Sequence, residues 1–238
     1  MFELGIQKNW IDALYARSSV RQYTSAPDKA QLDKLGETCR KLSWQGVKIR
    51  MFKGPGLKSQ IKGTDVYAVI VAKRGTPMEV EGFMGEALVL EAASMGLGTC
   101  WLGAGFYPDI INRNVDLQTD EAVHCVISIG KANLPAFAPK RKELEKVCGM
   151  NEEQLGQLGA WQKEAVLAAR LAPSAMNQQP WKIAADKTSV SILETTVLFK
   201  KYAPLDRGIC MLHAAVGAAK AGRTAIWKKV DGGYAMKA

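Results

Sequence analysis

The sequence feature that most restricts the fold of this chain is a weak internal repeat with an offset of 126 residues. The offset places Gly82 on Gly208 and Gly96 on Gly222, and each pair of glycines encloses a long alanine-rich segment. In both copies this segment follows a first helix, a loop and strand-like runs, which is typical of supersecondary units in tandem. Identity between the copies is low, so the matching order of element types supports the repeat more than the matching letters do.

The repeat divides the chain into two predicted halves, residues 1–150 and 151–238. It also aligns Gln31-Leu32 with Gln157-Leu158, near the start of the first helix of each copy.

Periodicity and composition predict the main elements of the first half. Apolar residues at helical spacing predict helices over residues 28–42 and 82–95. Runs rich in β-branched residues predict strands over residues 65–72 and 122–129. Because His124 lies inside the second of these strands, we interpret it as a core histidine rather than a catalytic base.

The overall composition is that of an ordinary globular protein, with 47% hydrophobic and 23% charged residues. Its five cysteines are scattered and form no C-x-x-C pair, which favours reduced thiols in a cytosol over a disulfide framework or a zinc site. No stretch approaches the roughly 18 apolar residues that a membrane span needs. We therefore expect a cytoplasmic protein with no membrane partner.

The net charge of +9 bears on the kind of partner. A basic balance is compatible with nucleic acid or with an anionic small molecule. The positive residues occur in separate spots, and no aromatic-interleaved basic helix, zinc finger or RNA-recognition motif accompanies them. We expect a small-molecule substrate and an anionic cofactor, and no nucleic acid.

Two arginines and two serines lie together at the end of the first helical stretch: Arg17, Ser18, Ser19 and Arg21. Guanidinium groups four residues apart, with hydroxyl groups between them, can converge on a phosphate, because arginine supplies forked donors and charge strengthens each bond. A solvated helix end whose cations suit the helix dipole explains the same spacing equally well.

A glycine-rich segment, residues 96–106, follows the second predicted helix. Its central residues are Trp101, Leu102, Gly103 and Ala104. Glycine allows a backbone to approach a planar ligand closely, although a helix C-cap followed by a turn accounts for the glycines as well.

A polar loop bounded by prolines connects an alanine-rich helical run to a strand-like run. Its first residues are Pro173, Ser174, Ala175, Met176 and Asn177. Pro173 and Pro180 restrict the backbone, and the short polar side chains could meet a flat polar heterocycle. Composition alone favours a capped loop over a ligand site.

Three of these segments resemble motifs of the FMN-dependent nitroreductase family, in its tandem branch of the TM-nitroreductase type. Residues 17–23 are similar to the family's Arg-Arg-Ser-X-Arg-X-Phe motif, with Ser18 where a second arginine is usual and Tyr23 in place of phenylalanine. Residues 96–106 are similar to its Gly-Leu-Gly-X-Cys-X-X-Gly-Gly-Phe-like segment, and residues 173–181 to its Pro-Ser-X-X-Asn-X-Gln-Pro-Trp loop.

The resemblance implies an FMN site and its residues. The first motif would hold the phosphate, the glycine-rich segment and the loop would face the ring, and a basic pair would close over the phosphate. The implied cofactor-binding residues are Arg17, Ser18, Ser19, Arg21, Trp101, Leu102, Gly103, Ala104, Lys140, Arg141, Pro173, Ser174, Ala175, Met176 and Asn177. No residue is assigned to catalysis or to a metal.

The motifs are divided between the two halves. Residues 47–55 stand where the loop should map in the first copy, and residues 143–147 stand where the arginine motif should map in the second. The family's interlocked homodimers, whose sites draw on both subunits, imply a fused pair with one FMN site between intertwined halves. The implied fold is α+β and nitroreductase-like, with two tandem half-repeats. Each would have a small, mainly antiparallel sheet flanked by helices, packed as a pseudo-dimer that is a monomer in solution.

The function implied by the resemblance is that of an FMN-dependent NAD(P)H oxidoreductase. Hydride would pass by a ping-pong route through flavin N5 to a small aromatic or quinone-like acceptor, with no need for a protein acid or base. The alternative is a non-catalytic FMN-binding protein with a degenerate substrate pocket. The sequence does not distinguish NADH from NADPH.

Overall fold

The computed structural model of the chain describes residues 4–133, 140–198 and 200–237. Two compact units divide the chain: a central unit, Ala16–Ala138, and a terminal unit formed by Met1–Tyr15 and Pro139–Ala238. The division predicted at residue 150 concerns the sequence repeat, and it stays a prediction.

The described helices are α1 (Asn9–Ala16), α2 (Lys29–Leu42), α3 (Met78–Ser94), α4 (Pro108–Asn114), α5 (Leu144–Cys148), α6 (Glu152–Gly156), α7 (Ala160–Arg170) and α8 (Ala203–Lys220). The described strands are β1 (Val47–Lys53), β2 (Val66–Lys73), β3 (Leu97–Leu102), β4 (Glu121–Lys131), β5 (Trp181–Ala185), β6 (Val190–Glu194), β7 (Ile226–Val230) and β8 (Gly233–Lys237). Among the described residues, no helix is both long and apolar enough to cross a membrane.

The central unit contains a four-stranded antiparallel sheet in the order β1-β2-β4-β3. Strand β2 is buried along residues 66–72, which explains its unbroken apolar run and its central place in the sheet. Helix α2 begins at a capping box in which Asp28 and Gln31 bond each other's backbone N–H groups. Helix α3 is buried on every side from Glu79 to Ala92.

The terminal unit contains a second four-stranded antiparallel sheet, in the order β5-β6-β8-β7. Helices α7 and α8 pack closely, because Gly217 of α8 leaves no room for a side chain against the Glu164 carbonyl group and the Ala168 side chain of α7.

The two units share one order of elements. Each has a helix, two paired strands, a long helix and two more paired strands, with the same strand order in the sheet. The predicted α+β fold with two small antiparallel sheets flanked by helices is confirmed.

The repeat offset is kept most closely at the ends of the long helices. The N–H groups of Met95 and Ala221, 126 residues apart, each donate to a carbonyl three residues earlier, at 3.1 and 3.0 Å. The next residues, Gly96 and Gly222, both have a left-handed backbone, with φ of 71° and 74°. Glycine adopts this conformation without the steric penalty of other residues, so both helices end at a glycine cap.

The offset does not hold throughout the chain. Gln31 lies within α2, whereas Gln157 precedes the start of α7. The mapping of the Pro173–Trp181 loop onto residues 47–55 is also wrong, because residues 47–53 form strand β1, whose topological counterpart is β5. Insertions between helix and strand differ in length between the units, so one fixed offset cannot align both ends.

Candidate functional site

Residues 17–23, here called the arginine segment, run in extended form beside strand β3. Ser19 forms a parallel bridge with Thr99, and the Val20 N–H donates to the Thr99 carbonyl at 2.8 Å. Gly98 permits this approach, since a side chain there would meet Val20. The predicted phosphate motif is therefore held to the strand that leads into the predicted flavin-ring segment.

Burial differs along the motif: Arg17 and its neighbour Ser18 are buried, Ser19 is half-buried, and Arg21 and its neighbour Gln22 are exposed. Arg17 Nη2 donates to Ser19 Oγ at 3.4 Å, and Arg21 is exposed two residues further on. Ser18 and Val20 are buried, and the Ser18 hydroxyl has no hydrogen-bond partner among the described residues. Of the predicted phosphate ligands, Ser19 and Arg21 are thus accessible, whereas Arg17 and Ser18 are buried.

A buried glutamate of α3 connects the arginine segment to the glycine-rich segment. Glu86 lies 3.7 Å from Arg17 Nε through one carboxylate oxygen and accepts from Trp101 Nε1 at 2.7 Å through the other. Glu86 is fully buried. Two residues predicted to bind the cofactor are therefore oriented by one carboxylate, which sequence reasoning missed.

The other residues predicted at the flavin ring lie where β3 ends. Leu102 is buried as the last residue of the strand, Gly103 is half-buried, and Ala104 is exposed. Gly105 and Phe106 are buried, and Phe106 pairs with Leu57 of the β1–β2 connection. The exposed backbone at residues 103–104 can meet a planar ligand.

In the terminal unit, the Pro-Ser loop (Pro173–Trp181) has an unusual backbone. Met176, Asn177 and Gln179 have φ of 53°, 54° and 47°, in the left-handed region that non-glycine residues rarely adopt. The Ser174 hydroxyl accepts from the Gln179 N–H at 2.8 Å, which closes the loop. Met176 is 79% exposed at its tip. Backbone strain of this kind is concentrated at functional sites in proteins.

The basic cluster, Lys140–Lys142, lies against the Pro-Ser loop. Arg141 donates to the Asn177 side-chain oxygen at 3.1 Å, and the Asn177 amide nitrogen donates to the Lys140 carbonyl at 2.9 Å. Lys142 Nζ donates to the Gln178 carbonyl at 2.6 Å. The structure thus brings Lys140 and Arg141 together with the loop, which their separation in sequence did not suggest.

A carboxylate of α8 holds the loop at a further point. Both oxygens of Asp206 accept from the Ala175 N–H, each at 3.1 Å. Asp206 is buried, and this burial raises the pKa of its carboxyl group to about 7, against the lowering effects of the Ala175 bond and of Arg207. Sequence reasoning missed Asp206, although an acidic residue among the apolar residues of a helix is a usable signal.

His124 is not the core histidine that the sequence suggested. It is half-exposed and occupies a bulge, because Ile70 and Val71 pair with its two neighbours and skip it. Its Nδ1 lies 2.9 Å from a carboxylate oxygen of Glu81, a fully buried residue of α3 whose pKa is raised by burial. The bulge aims the ring at this carboxylate.

Two other features bear on ligand binding. The described residues contain no group of three or more His, Cys, Asp or Glu arranged to hold a metal ion. A surface cavity of about 310 Å³ in the central unit is lined by residues 54–57 with Ile61, Thr64 and Asp65, none of which was predicted to bind the cofactor.

The two four-stranded antiparallel sheets and the flanking helices define a nitroreductase-like fold. The structure is similar to that of a "putative nitroreductase" from Thermotoga maritima, with a TM-score of 0.74 and 23% sequence identity. The match covers 100% of this chain and 97% of the Thermotoga maritima chain. Residues 9–218 match the family model described as "Putative TM nitroreductase". The chain therefore belongs to this nitroreductase family.

Other solved structures are less similar. A nitroreductase with bound FMN from Desulfitobacterium hafniense covers 61% of this chain with 100% of its own length, at 14% identity and a TM-score of 0.48. An FMN-dependent nitroreductase from Clostridium difficile covers 55% of this chain with 91% of its own, at 20% identity and a TM-score of 0.45. None of the curated proteins compared with the chain matches it.

Proposed function

We propose that the protein is an FMN-dependent oxidoreductase of the nitroreductase type, which takes hydride from NADH or NADPH and passes it to a small aromatic or quinone-like acceptor. The observation that carries the proposal is the arginine segment. Its backbone is bonded to β3, Ser19 is half-buried and Arg21 is exposed, and the buried Arg17 donates to the Ser19 hydroxyl. Membership of the nitroreductase family makes a flavin the natural ligand of such a donor set.

The chemistry of the donor set fits FMN. The phosphate of FMN is an anion, for which forked guanidinium donors and a hydroxyl group are well suited. Glu86 neutralises part of the charge of Arg17, so we assign the larger share of phosphate binding to the exposed Arg21. The loop would add polar groups for the flavin ring, and the basic cluster bonded to it would add cationic groups for the phosphate.

Bound FMN would supply hydride acceptance and donation, and the protein residues would bind and orient it. Gly103 and Ala104 would leave the backbone accessible beside the ring, and Asn177 would contact it from the Pro-Ser loop. Glu86 would keep Arg17 and the Trp101 indole in fixed orientations. No side chain is required to act as a catalytic acid or base.

We further propose that the chain arose by internal duplication, and that one FMN per chain uses the arginine segment of one copy and the Pro-Ser loop of the other. The shared strand order and the matching glycine caps support duplication. Use of both motifs by one flavin is inferred from the family's motif arrangement. We expect the protein to be a monomer, with the 25.9 kDa mass of one chain by light scattering.

The test begins with the spectrum of the purified protein. We expect a yellow protein that releases about one FMN per chain on denaturation and bleaches under anaerobic NADH or NADPH. A colourless protein that does not take up added FMN would contradict the proposal. Flavin that binds but is reduced by neither nucleotide would favour a non-catalytic flavin-binding protein.

Arg21→Ala tests the phosphate site directly. We expect FMN affinity to fall by about 1.5–3 kcal/mol, the range for a hydrogen bond to a charged group. Arg21→Lys should recover part of this loss, since lysine keeps the charge but not the fork. Arg40→Ala, which removes an exposed arginine of α2, is the control, and equal affinities of Arg21→Ala and Arg40→Ala would remove Arg21 from the site.

Asn177→Ala tests the loop. We expect a changed flavin spectrum or a slower reduction rate. An unchanged spectrum and rate would leave the loop with a structural role only.

A further inference from the structure

The Pro-Ser loop needs support, because three of its non-glycine residues adopt a left-handed backbone. Such a conformation costs free energy and persists only where neighbouring groups hold it. On one side, Arg141 and Lys142 of the basic cluster bond the Asn177 side chain and the Gln178 carbonyl. These contacts act after the first turn of the loop and leave its entry at Ala175 to other groups.

Asp206 supplies the contact at the entry. Its two carboxylate oxygens both accept from the N–H group of Ala175. Ala175 is the residue immediately before Met176 and Asn177, which both have a left-handed backbone. A buried carboxylate is unfavourable without donors, so its presence in α8, next to the buried Arg207, calls for a specific role. The bond to the loop provides that role.

The repeat gives an independent reason to connect Asp206 with the loop. The residue 126 positions earlier is Val80, a buried apolar residue of α3 in the unit that lacks a Pro-Ser loop. The carboxylate therefore occurs in the long helix of the unit that has the loop, and not at the matching position of the other.

We propose that Asp206 is a positioning residue, which fixes the entry of the Pro-Ser loop through the Ala175 N–H and holds the loop in the form that binds a ligand. It touches neither cofactor nor substrate and acts through the loop backbone. The consequence for flavin binding rests on the proposed function, whereas the effect on the loop does not.

The charge of this contact changes near neutral pH. Burial raises the pKa of Asp206 to about 7, while the Ala175 bond and the neighbouring Arg207 act in the opposite direction. Arg207 itself lies 3.9 Å from Glu194 of β6, and Cys210 of α8 is a buried thiol whose pKa the Asp206 charge raises further.

Two charged residues of the helix packed on α8 have partners of their own, and the third, Lys163, is exposed. On α7, Glu164 pairs with Lys220 at 3.0 Å, and Arg170 bonds the Lys142 carbonyl at 2.8 Å. We therefore expect Asp206 to carry its full charge, and the loop to be held most firmly, above about pH 7.

Hydrogen exchange of the cofactor-free protein at pH 8 tests the proposal. Asp206→Ala should raise the exchange rate of the Ala175 amide by roughly tenfold or more, the fold-change for loss of a charge-assisted hydrogen bond. Asp206→Asn, which keeps an oxygen acceptor without the charge, should have an intermediate effect. Glu194→Gln removes a nearby carboxylate with no bond to the loop and should leave the Ala175 rate unchanged.

Equal Ala175 protection in wild type and Asp206→Ala would overturn the proposal, as would an equal loss in Glu194→Gln. A thermal scan across pH 5–9 adds a second readout. Because the folded-state pKa lies above the ordinary value, this group's contribution to stability is lost as pH rises towards 7. The Tm of Asp206→Asn relative to wild type should therefore increase with pH, and a constant difference would contradict a change in the charge of Asp206 near neutral pH.

FMN titration separates this inference from the proposed function. If the wild type binds FMN, Asp206→Ala should weaken binding by roughly tenfold. Unchanged FMN affinity despite lost Ala175 protection would overturn the role of Asp206 at the ligand site. If the wild type binds no FMN, the proposed function fails, and hydrogen exchange still decides whether Asp206 holds the loop.

Discussion

The long helices of the two units end alike but bury different side chains. At offset 126, Trp101 of β3 corresponds to Trp227 of β7, and Glu86 of α3 corresponds to Leu212 of α8. The Trp101 indole donates to Glu86 at 2.7 Å. The indole N–H of Trp227, in contrast, has no hydrogen-bond partner among the described residues. The difference falls on the carboxylate, while the tryptophan and the glycine cap are common to both units.

Asp206 and Val80 show the reverse arrangement. Each long helix thus buries a carboxylate at a position where its counterpart is apolar, and each carboxylate bonds the predicted ligand motif of its own unit. Buried carboxylates are costly unless they are well paired. These two carboxylates therefore accompany the ligand motifs, whereas Glu81, another buried carboxylate of α3, bonds His124 outside them.

The largest expected effect comes from replacing one residue of the central unit by the residue at the matching position of the terminal unit. Glu86→Leu, which introduces the residue found at the matching position in α8, would remove the carboxylate that pairs with buried Arg17 and accepts from half-buried Trp101. We expect a loss of about 3–5 kcal/mol in the free energy of unfolding, the cost of removing one partner from a buried pair. Urea titration measures it.

Glu86→Gln is the matched variant, because the amide keeps an oxygen that can accept from Trp101. It should lose clearly less stability than Glu86→Leu. If the leucine variant is as stable as the wild type, the carboxylate that distinguishes α3 from α8 at this position contributes nothing to the free energy of unfolding.

The sequence predicted the elements of the fold better than it predicted these carboxylates. Helix α2, helix α3 and strands β2 and β4 follow from apolar periodicity, which records burial directly. Glu86 and Asp206 were missed, because acidic residues in a helix are normally interpreted as part of its solvated face, although an acidic residue among apolar ones can indicate burial. Only the fold shows that α3 and α8 are buried on nearly every side.

The motifs themselves illustrate a second limit. Sequence similarity indicated the arginine segment and the Pro-Ser loop, but not the contact between Arg141 and Asn177, which are 36 residues apart in the chain. His124 was misread because a strand pattern does not reveal a bulge, and a bulge changes the direction of the residue it contains.

The two tryptophans provide a more moderate test of the same comparison. Trp101→Phe removes a bond to a carboxylate, which we expect to cost about 1.5–3 kcal/mol of unfolding free energy. Trp227→Phe also loses ring contacts, but it removes a buried N–H that has no partner in the described chain, and these two effects oppose each other. Unfolding titrations that gave the smaller loss for Trp101→Phe would contradict the assigned role of Glu86.

Helix packing differs between the units in a way that glycine substitutions can measure. Gly217→Ala should destabilise the chain by about 1–3 kcal/mol, because the added methyl group would overlap the Glu164 carbonyl group and force α7 and α8 apart. Gly36→Ala on α2, where the nearest atom is 3.9 Å away, should instead stabilise by about 0.4–1 kcal/mol. Effects of the same sign, measured by urea titration, would contradict this contrast.

The glycine caps give the smallest expected effect and test what the units share. Gly96 and Gly222 have nearly the same left-handed φ, and neither has an atom within 4 Å of the position a Cβ would take. Replacing either by alanine should therefore cost only the backbone penalty, about 1 kcal/mol, and the two losses should be equal. Hydrogen exchange at the two helix ends measures both losses. Because neither cap has side-chain contacts, different losses for Gly96→Ala and Gly222→Ala would mean that the two caps are not equivalent. The duplication would then lose its strongest structural support.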